Sequence, residues 1–551
     1  MRMPLFRLNP ILFRAAVAAL CFAGAVLAQQ PAPMSHDAMS HDNDMAPAGL
    51  PKNFDEPIAY TPKALGKFTR HISSRNKEAQ EYFDQGFQLM YAYGKQDAAR
   101  SFREAEKRDP DCAICYWGEA WSWGSYLNGA MQKFEAPFAY AAAQKAKKLA
   151  PGHSTPVEAD LIEAMTHRYV ENFDPDKRRE QDTAYAEEMR KLHEKYPKDQ
   201  DIATLYADSL FIMEPRRGSR DIDSPNVKRI QEVLESVLAV NLRHVGACHL
   251  YVHLTEATTK PKLAEACADG LGDLIPGASH LNHMPSHTYN QLGRWRDAVR
   301  SNIEAWHSDQ KAALGEGFAI YPDHNLHMLL FAASMDGQGA IAIQAAKDYA
   351  KINGSNMMQM LTLIRFGRFD EVLEITKRPT EAIPGGIWDW AQGYARLRLG
   401  EKDMAQVYLA RVLKTADESK EKFRGHAAKD ILGTLGGILE GEIYRSNGDL
   451  NQAIASLERA TTLYNGLVYD EPEPLPFAAQ HWLGAALLEA KRYPDAERVY
   501  REELKKHPQN GWSLFGLKAA LDGQGKPSDE VATQFARSWA RSEMWIQASR
   551  Y

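Results

Sequence analysis

His249-Leu250-Tyr251-Val252-His253 and His283-Met284-Pro285-Ser286-His287 are two H-x-x-x-H segments whose first histidines stand 34 residues apart. Within each, the i, i+4 spacing puts both rings on one helix face, a turn apart. An offset of 34 is the length of one helix–turn–helix repeat, so the second pair occupies the face of its repeat that the first occupies in its own. Around these pairs lie His244 before them, His280 between them and His324-Asn325-Leu326-His327 after them. The spacing predicts stacked helix pairs with imidazoles aimed at one place. A convergent set of neutral imidazoles reads first as a metal site.

The rest of the chain agrees. After residue 74, small and apolar residues recur at helical spacing between short glycine-containing turns, with no alternating strand pattern. In the clearest units a small residue is followed seven later by a turn glycine and then by an alanine: Gly393/Gly400 and Gly441/Gly448/Ala453/Ala460. Gly484/Tyr493/Ala496/Tyr500/Pro508 fits too, with Lys491 where the glycine would stand. Gly86, Ala98, Phe102, Ala105 and Pro110 make an early unit, with Gly118 opening the next, and Gly293 and Gly367 mark further turns. These units resemble the tetratricopeptide repeat (TPR) consensus. The resemblance implies an all-α, TPR-like helical-hairpin solenoid, a superhelix of eight to ten pairs, which suits 551 residues better than one globular core. Repeats with the histidine cluster are expected over 61–345 and further TPR repeats over 346–527. A capping helix with Trp539 and Trp545 packed inward is expected over 528–551, and Asp470–Pro476 reads as a rigid loop.

Counted on the TPR pattern from Gly293, His280, His283 and His287 take positions 2, 5 and 9 of the first helix of their repeat. From Gly337, His324 and His327 take positions 2 and 5. The 34-residue offset gives His249, His253 and Glu256 positions 5, 9 and 12. In TPR proteins those positions line the concave groove. The candidate metal ligands are therefore His249, His253, Glu256, His280, His283, His287, His324 and His327. Three or four of them satisfy one ion, and the surplus implies either two ions or a supporting layer of histidines. His249, His253 and Glu256 form a two-histidine, one-carboxylate set of the kind that suits iron, while imidazole dominance suits copper or zinc. If the metal is catalytic, Glu256 is the candidate general base. Pro285 either kinks one helix or opens a shorter one. His244, His307, His426, His481 and His507 lack the alignment and read as ordinary surface or core residues.

Residues 1–28 read as a signal peptide: Arg2, Arg7 and Arg14 precede the apolar run Ala15–Leu27, and Val26-Leu27-Ala28 fits a cleavage site. A periplasmic or secreted location follows. Residues 29–60 lack apolar periodicity and are expected to be a disordered leader, carrying Met34, His36, Met39, His41 and Met45. Thioether with imidazole suits copper, which with export favours copper over zinc or iron. An exported compartment permits disulfides. Cys112–Cys115 is the local pair, with metal binding as its alternative, and Cys248–Cys267 would brace the hairpin that carries His249 and His253. Trp117, Trp121, Trp123, Tyr126, Trp388, Trp390 and Tyr394 form aromatic stripes that read as core. A net charge of −6 gives no bias toward nucleic acid, and no later run is long enough to span a membrane.

The segments His249–His253, His283–His287 and Asn325-Leu326-His327, with Asp111-Cys112 and Tyr116-Trp117-Gly118, look like a group of exported bacterial TPR proteins. That resemblance implies the fold and no reaction. The leading expectation is a metalloenzyme or metal-handling protein with a groove-bound metal ion. The competing one is an assembly scaffold whose groove takes a peptide or protein partner, with the histidines as polar contacts.

Overall fold

A computed structural model of the protein describes residues 49–215 and 218–551; the segment read as a signal peptide and the Met/His segment up to Met45 lie outside them. The described chain is an all-α run of antiparallel helix pairs. Among the described residues the one sheet is a two-residue-per-strand hairpin, Lys422–Phe423 with His426–Ala427.

Two kinds of helix alternate, for reasons written in their sequences. Outer helices are amphipathic: in Lys95–Arg108 the buried apolar set is Ala98, Ala99, Phe102 and Ala105, one stripe on a polar cylinder. Inner helices are buried all round, as Val245–Glu256 is along its whole length. Phe102 is wedged between Gly86 and Gly118, where a Cβ at either glycine would overlap its ring, and Tyr500 sits in the same way between Gly484 and Gly516. That close approach is why the pattern demands a small residue there.

The turns obey the count of seven. Gly293, Gly337, Gly367, Gly400 and Gly448 all have positive φ, the left-handed region open to glycine. Lys491, at the position that lacks its glycine, adopts φ 56° regardless. Lys491→Gly is expected to raise stability by ~1 kcal/mol, because a side chain in that region costs about 1–2 kcal/mol and glycine's greater unfolded-state freedom returns part of it. Equilibrium denaturation with urea measures this.

The superhelix closes on itself. Trp295 Nε1 donates to the Pro508 carbonyl (2.9 Å) and Trp512 Nε1 to the Ser334 carbonyl (2.9 Å), joining the last repeats to the middle ones. The expected capping helix covers only Asp529–Ser538. Beyond it the tail runs extended: Arg541 pairs with Asp336 (2.6 Å), and Tyr394 Oη donates to the Tyr551 carbonyl (2.5 Å). Trp539 packs on Trp512, as expected of it, but Trp545 is 83% exposed, because the tail's anchors are Arg541, Ser549 and Tyr551 rather than a continued helix face. Both cysteine pairs are disulfides, Cys112–Cys115 and Cys248–Cys267. The aromatic stripes are buried, as read.

The acidic loop is pinned by a buried histidine. His507 donates from Nδ1 to Glu503 (2.7 Å) and from Nε2 to Glu473 (3.1 Å). Burial opposes its charge, but Glu473 and then Glu503 outweigh that and raise its pKa to about 9. A raised imidazole contributes stability that is complete below its unfolded value, ~6.5, and is lost as pH rises through about 9. Thermal unfolding between pH 6.5 and 9 should therefore show a loss of up to ~3 kcal/mol in the wild type that His507→Gln does not show.

Candidate metal centre

The inner helix Val245–Glu256 carries His249 and His253. The short helices Ser279–His283 and Pro285–Leu292 carry the next three histidines, and Pro322–Met335 carries His324 and His327. Met284 between the two short helices keeps helical angles, so Pro285 opens a helix that nearly continues its predecessor. All seven histidines and Glu256 are buried, none exposing more than 7%. The positions expected to line an open groove are instead enclosed, where the apolar cluster from Phe54 to Ile320 meets that from Ala268 to Leu521. Closure of the superhelix and the loop after Tyr469 fill the groove, so a peptide has no surface through which to touch these histidines.

The rings sort into two triads. The ligand atoms of His249, His253 and His280 lie within 4.8 Å of one another, as do those of His283, His287 and His324. His327 joins neither. The Arg424 guanidinium donates to its Nδ1 (3.2 Å), which keeps the ring's proton on Nε2, and its ring packs by Tyr349 (5.6 Å).

Hydrogen bonds on the far side of four of the rings set which nitrogen faces inward. His249 Nδ1 donates to the Tyr91 carbonyl (2.6 Å), and His253 Nδ1 to Glu256 Oε1 (2.7 Å). His283 Nδ1 donates to Asn302 Oδ1 (2.6 Å), whose amide is committed to the Ala298 carbonyl. His287 Nδ1 faces Glu256 Oε2 and Glu471 (2.8 Å). In each case Nε2 is the inward atom. Carboxylate, carbonyl or amide behind an imidazole is the arrangement that orients metal-binding histidines. His249 Nε2, His324 Nε2 and both nitrogens of His280 have no hydrogen-bond partner although fully buried. An unpaired buried polar atom costs about 1–3 kcal/mol, so three such rings in one place ask for a ligand.

His283 Nε2 and His287 Nε2 stand 2.7 Å apart. Two lone pairs at that distance repel unless a cation lies between them. In the metal-free protein it is a proton: burial works against it, but Glu256 and Glu471 raise the His287 pKa to about 10. The other triad members go the opposite way. Burial, then neighbouring imidazoles, hold His249, His280, His283 and His324 well below the usual histidine range, leaving them neutral and able to bind metal.

Several site residues have no place in the sequence reading. Glu471 comes from the proline-rich loop, held by Arg424, which binds Asp470 (2.8 Å) and the Glu471 carbonyl. Arg424 itself sits at the hairpin tip with φ 50°. Tyr93, φ 62°, packs its ring on His249 (4.2 Å), His253 (5.9 Å) and His280 (5.7 Å). Tyr321, φ 56°, lies edge-on to His280 (5.0 Å) and bonds Tyr126 through their hydroxyls (2.6 Å). Among the described residues, three of the five non-glycine residues in the left-handed region therefore border the histidines. Such strain gathers where the surroundings over-determine a site.

No family model matches the chain, and no curated protein matches it in sequence. Solved structures with similarity are the P58(IPK) TPR domain, 12% identical over 81% of this chain and 98% of that one, TM-score 0.22, and the APC/C hetero-tetramer Cut9-Hcn1, 16% identical over 88% and 78%, TM-score 0.29. Human IFIT1, solved as a dimer with m7Gppp-AAAA, is 12% identical over 85% of this chain and 90% of that one, TM-score 0.29. Among the described residues no helix is long and apolar enough to cross a membrane.

Proposed function

We propose that this chain is an exported, metal-binding TPR-like solenoid that handles or uses a metal ion held by imidazoles in its interior. The observation that carries the reading is the convergence of buried imidazoles: His249, His253, His283 and His287 are fixed from behind, and His249 Nε2, His324 Nε2 and both nitrogens of His280 lack a hydrogen-bond partner. All four cysteines of the described residues are in disulfides, so the donors are imidazole and carboxylate, a set that suits copper, zinc or iron. Copper comes first, for the export signal and the Met/His leader. Glu256 serves as the orienting carboxylate, since both its oxygens are spent on Nδ1 atoms, one of His253 and one of His287. If the metal is catalytic, the same carboxylate is also the candidate general base. A protein partner would use outer surfaces of the solenoid, away from the enclosed histidines.

Elemental analysis of protein purified without a polyhistidine tag tests the reading. Stoichiometric metal is expected, lost when His249 and His283 are both replaced by alanine. Substoichiometric metal that the double replacement leaves unchanged would sink it.

A further inference from the structure

We infer that the interior holds two separate metal ions, one on the imidazoles of His249, His253 and His280 and one on those of His283, His287 and His324, with Glu256 and Glu471 between them as a shared orienting pair. This rests on the metal reading above and adds number and partition to it.

The partition follows from which atom of each ring is committed. A third group, His253, Glu256, His287 and Glu471, is as compact as the two triads. It is not a third site, because it uses the Nδ1 atoms of its two histidines, both already bonded to Glu256. Each of these rings thus points one nitrogen at the carboxylates and the other into its own triad. Glu256 is the hinge between the triads, and a single carboxylate serves one ligand of each.

Ring packing makes each triad compact and sets the two side by side, with the His253 and His287 centroids 5.4 Å apart and those of His280 and His283 5.6 Å. Within the first triad, ring centroids lie 5.0 to 6.2 Å apart, and within the second 4.7 to 5.8 Å. Each set is tight enough to share one ion after small rotations. Nε2 atoms on a tetrahedral ion stand roughly 3.3 Å apart for metal–nitrogen bonds of about 2.0–2.1 Å, so the His283–His287 pair need only open slightly.

Charge points the same way. The buried carboxylates of Glu256 and Glu471 stand directly behind ligand rings of both triads, where they offset the charge of cations bound to those rings. Three imidazoles also leave a fourth position on each ion. Next to His249 there is a cavity of about 20 Å³, enough for one water, lined by Tyr93, Tyr126, Thr204 and Asp208.

The test loads tag-free protein with excess Cu(II), and separately Zn(II), removes the surplus by desalting and counts ions per chain. Two are expected in the wild type. His249→Ala with His280→Ala should leave one, and His283→Ala with His324→Ala should leave one, each giving a full-intensity signal from isolated Cu(II) in electron paramagnetic resonance. One ion in the wild type, or none in either variant while circular dichroism stays native, overturns the partition. No ion in the wild type overturns the metal reading itself. Should the variants fail to fold, the wild-type count still decides.

Discussion

Gly293→Ala is expected to destabilise the protein by about 3–5 kcal/mol and to open the seam that closes the superhelix. Gly293 has φ 70°, and a Cβ there would lie well inside contact with the Pro508 carbonyl oxygen, the atom that accepts from Trp295. The obstacle is backbone held by two repeats and cannot swing aside like a flexible side chain. Gly400→Ala is the control: its φ is 95°, but nothing lies within 4 Å, so only the conformational penalty of ~1–2 kcal/mol applies. Thermal unfolding of both variants should separate them clearly. Equal losses would mean that the 293–508 contact contributes nothing and that the seam is held elsewhere.

The second large effect is on the metal. Glu256→Gln keeps shape and volume but replaces one acceptor oxygen by an amide donor. The amide can accept from one Nδ1–H and must donate to the other Nδ1, which drives that ring's proton to Nε2, into its own triad. Loss of such an orienting partner typically costs 10–100-fold in affinity. Competition against a chelator of known strength is the measurement, with circular dichroism to show that the fold survives. An affinity within twofold of wild type would remove Glu256 from its orienting role.

The fold was legible because a repeat states its rules many times. Gly293, Gly400 and Gly448 each stand seven residues after a small one and mark a turn, and the turn geometry holds even at Lys491, where the residue does not suit it. The six triad histidines and Glu256 were legible for the same reason, being locked to the period. Tyr93 carried a readable signal that went unused: it stands seven after Gly86, where the turn glycine belongs. Arg424 and Glu471 carried none of that kind. They sit between repeats, and their place depends on how the superhelix closes, which local periodicity does not encode. Asp470–Pro476 read as a stiff spacer because proline fixes the backbone, but stiffness says nothing about where a loop is aimed. His327 shows the converse: its position in the period matched, but Arg424 holds its ring in the wrong tautomer.

The Tyr91 carbonyl, His249, His287 and Glu471 come from points strewn along most of the chain. Contacts that distant form late, after the local helix pairs they join. The cage therefore forms after the helix pairs that carry its histidines. A nascent or truncated chain ending before Glu471 has six imidazoles but only one of their carboxylates, and its rings lack the loop that fills the space above them. With ions bound as proposed, metal affinity would therefore differ between a chain that has placed its Glu471 loop against the histidines and one that has not.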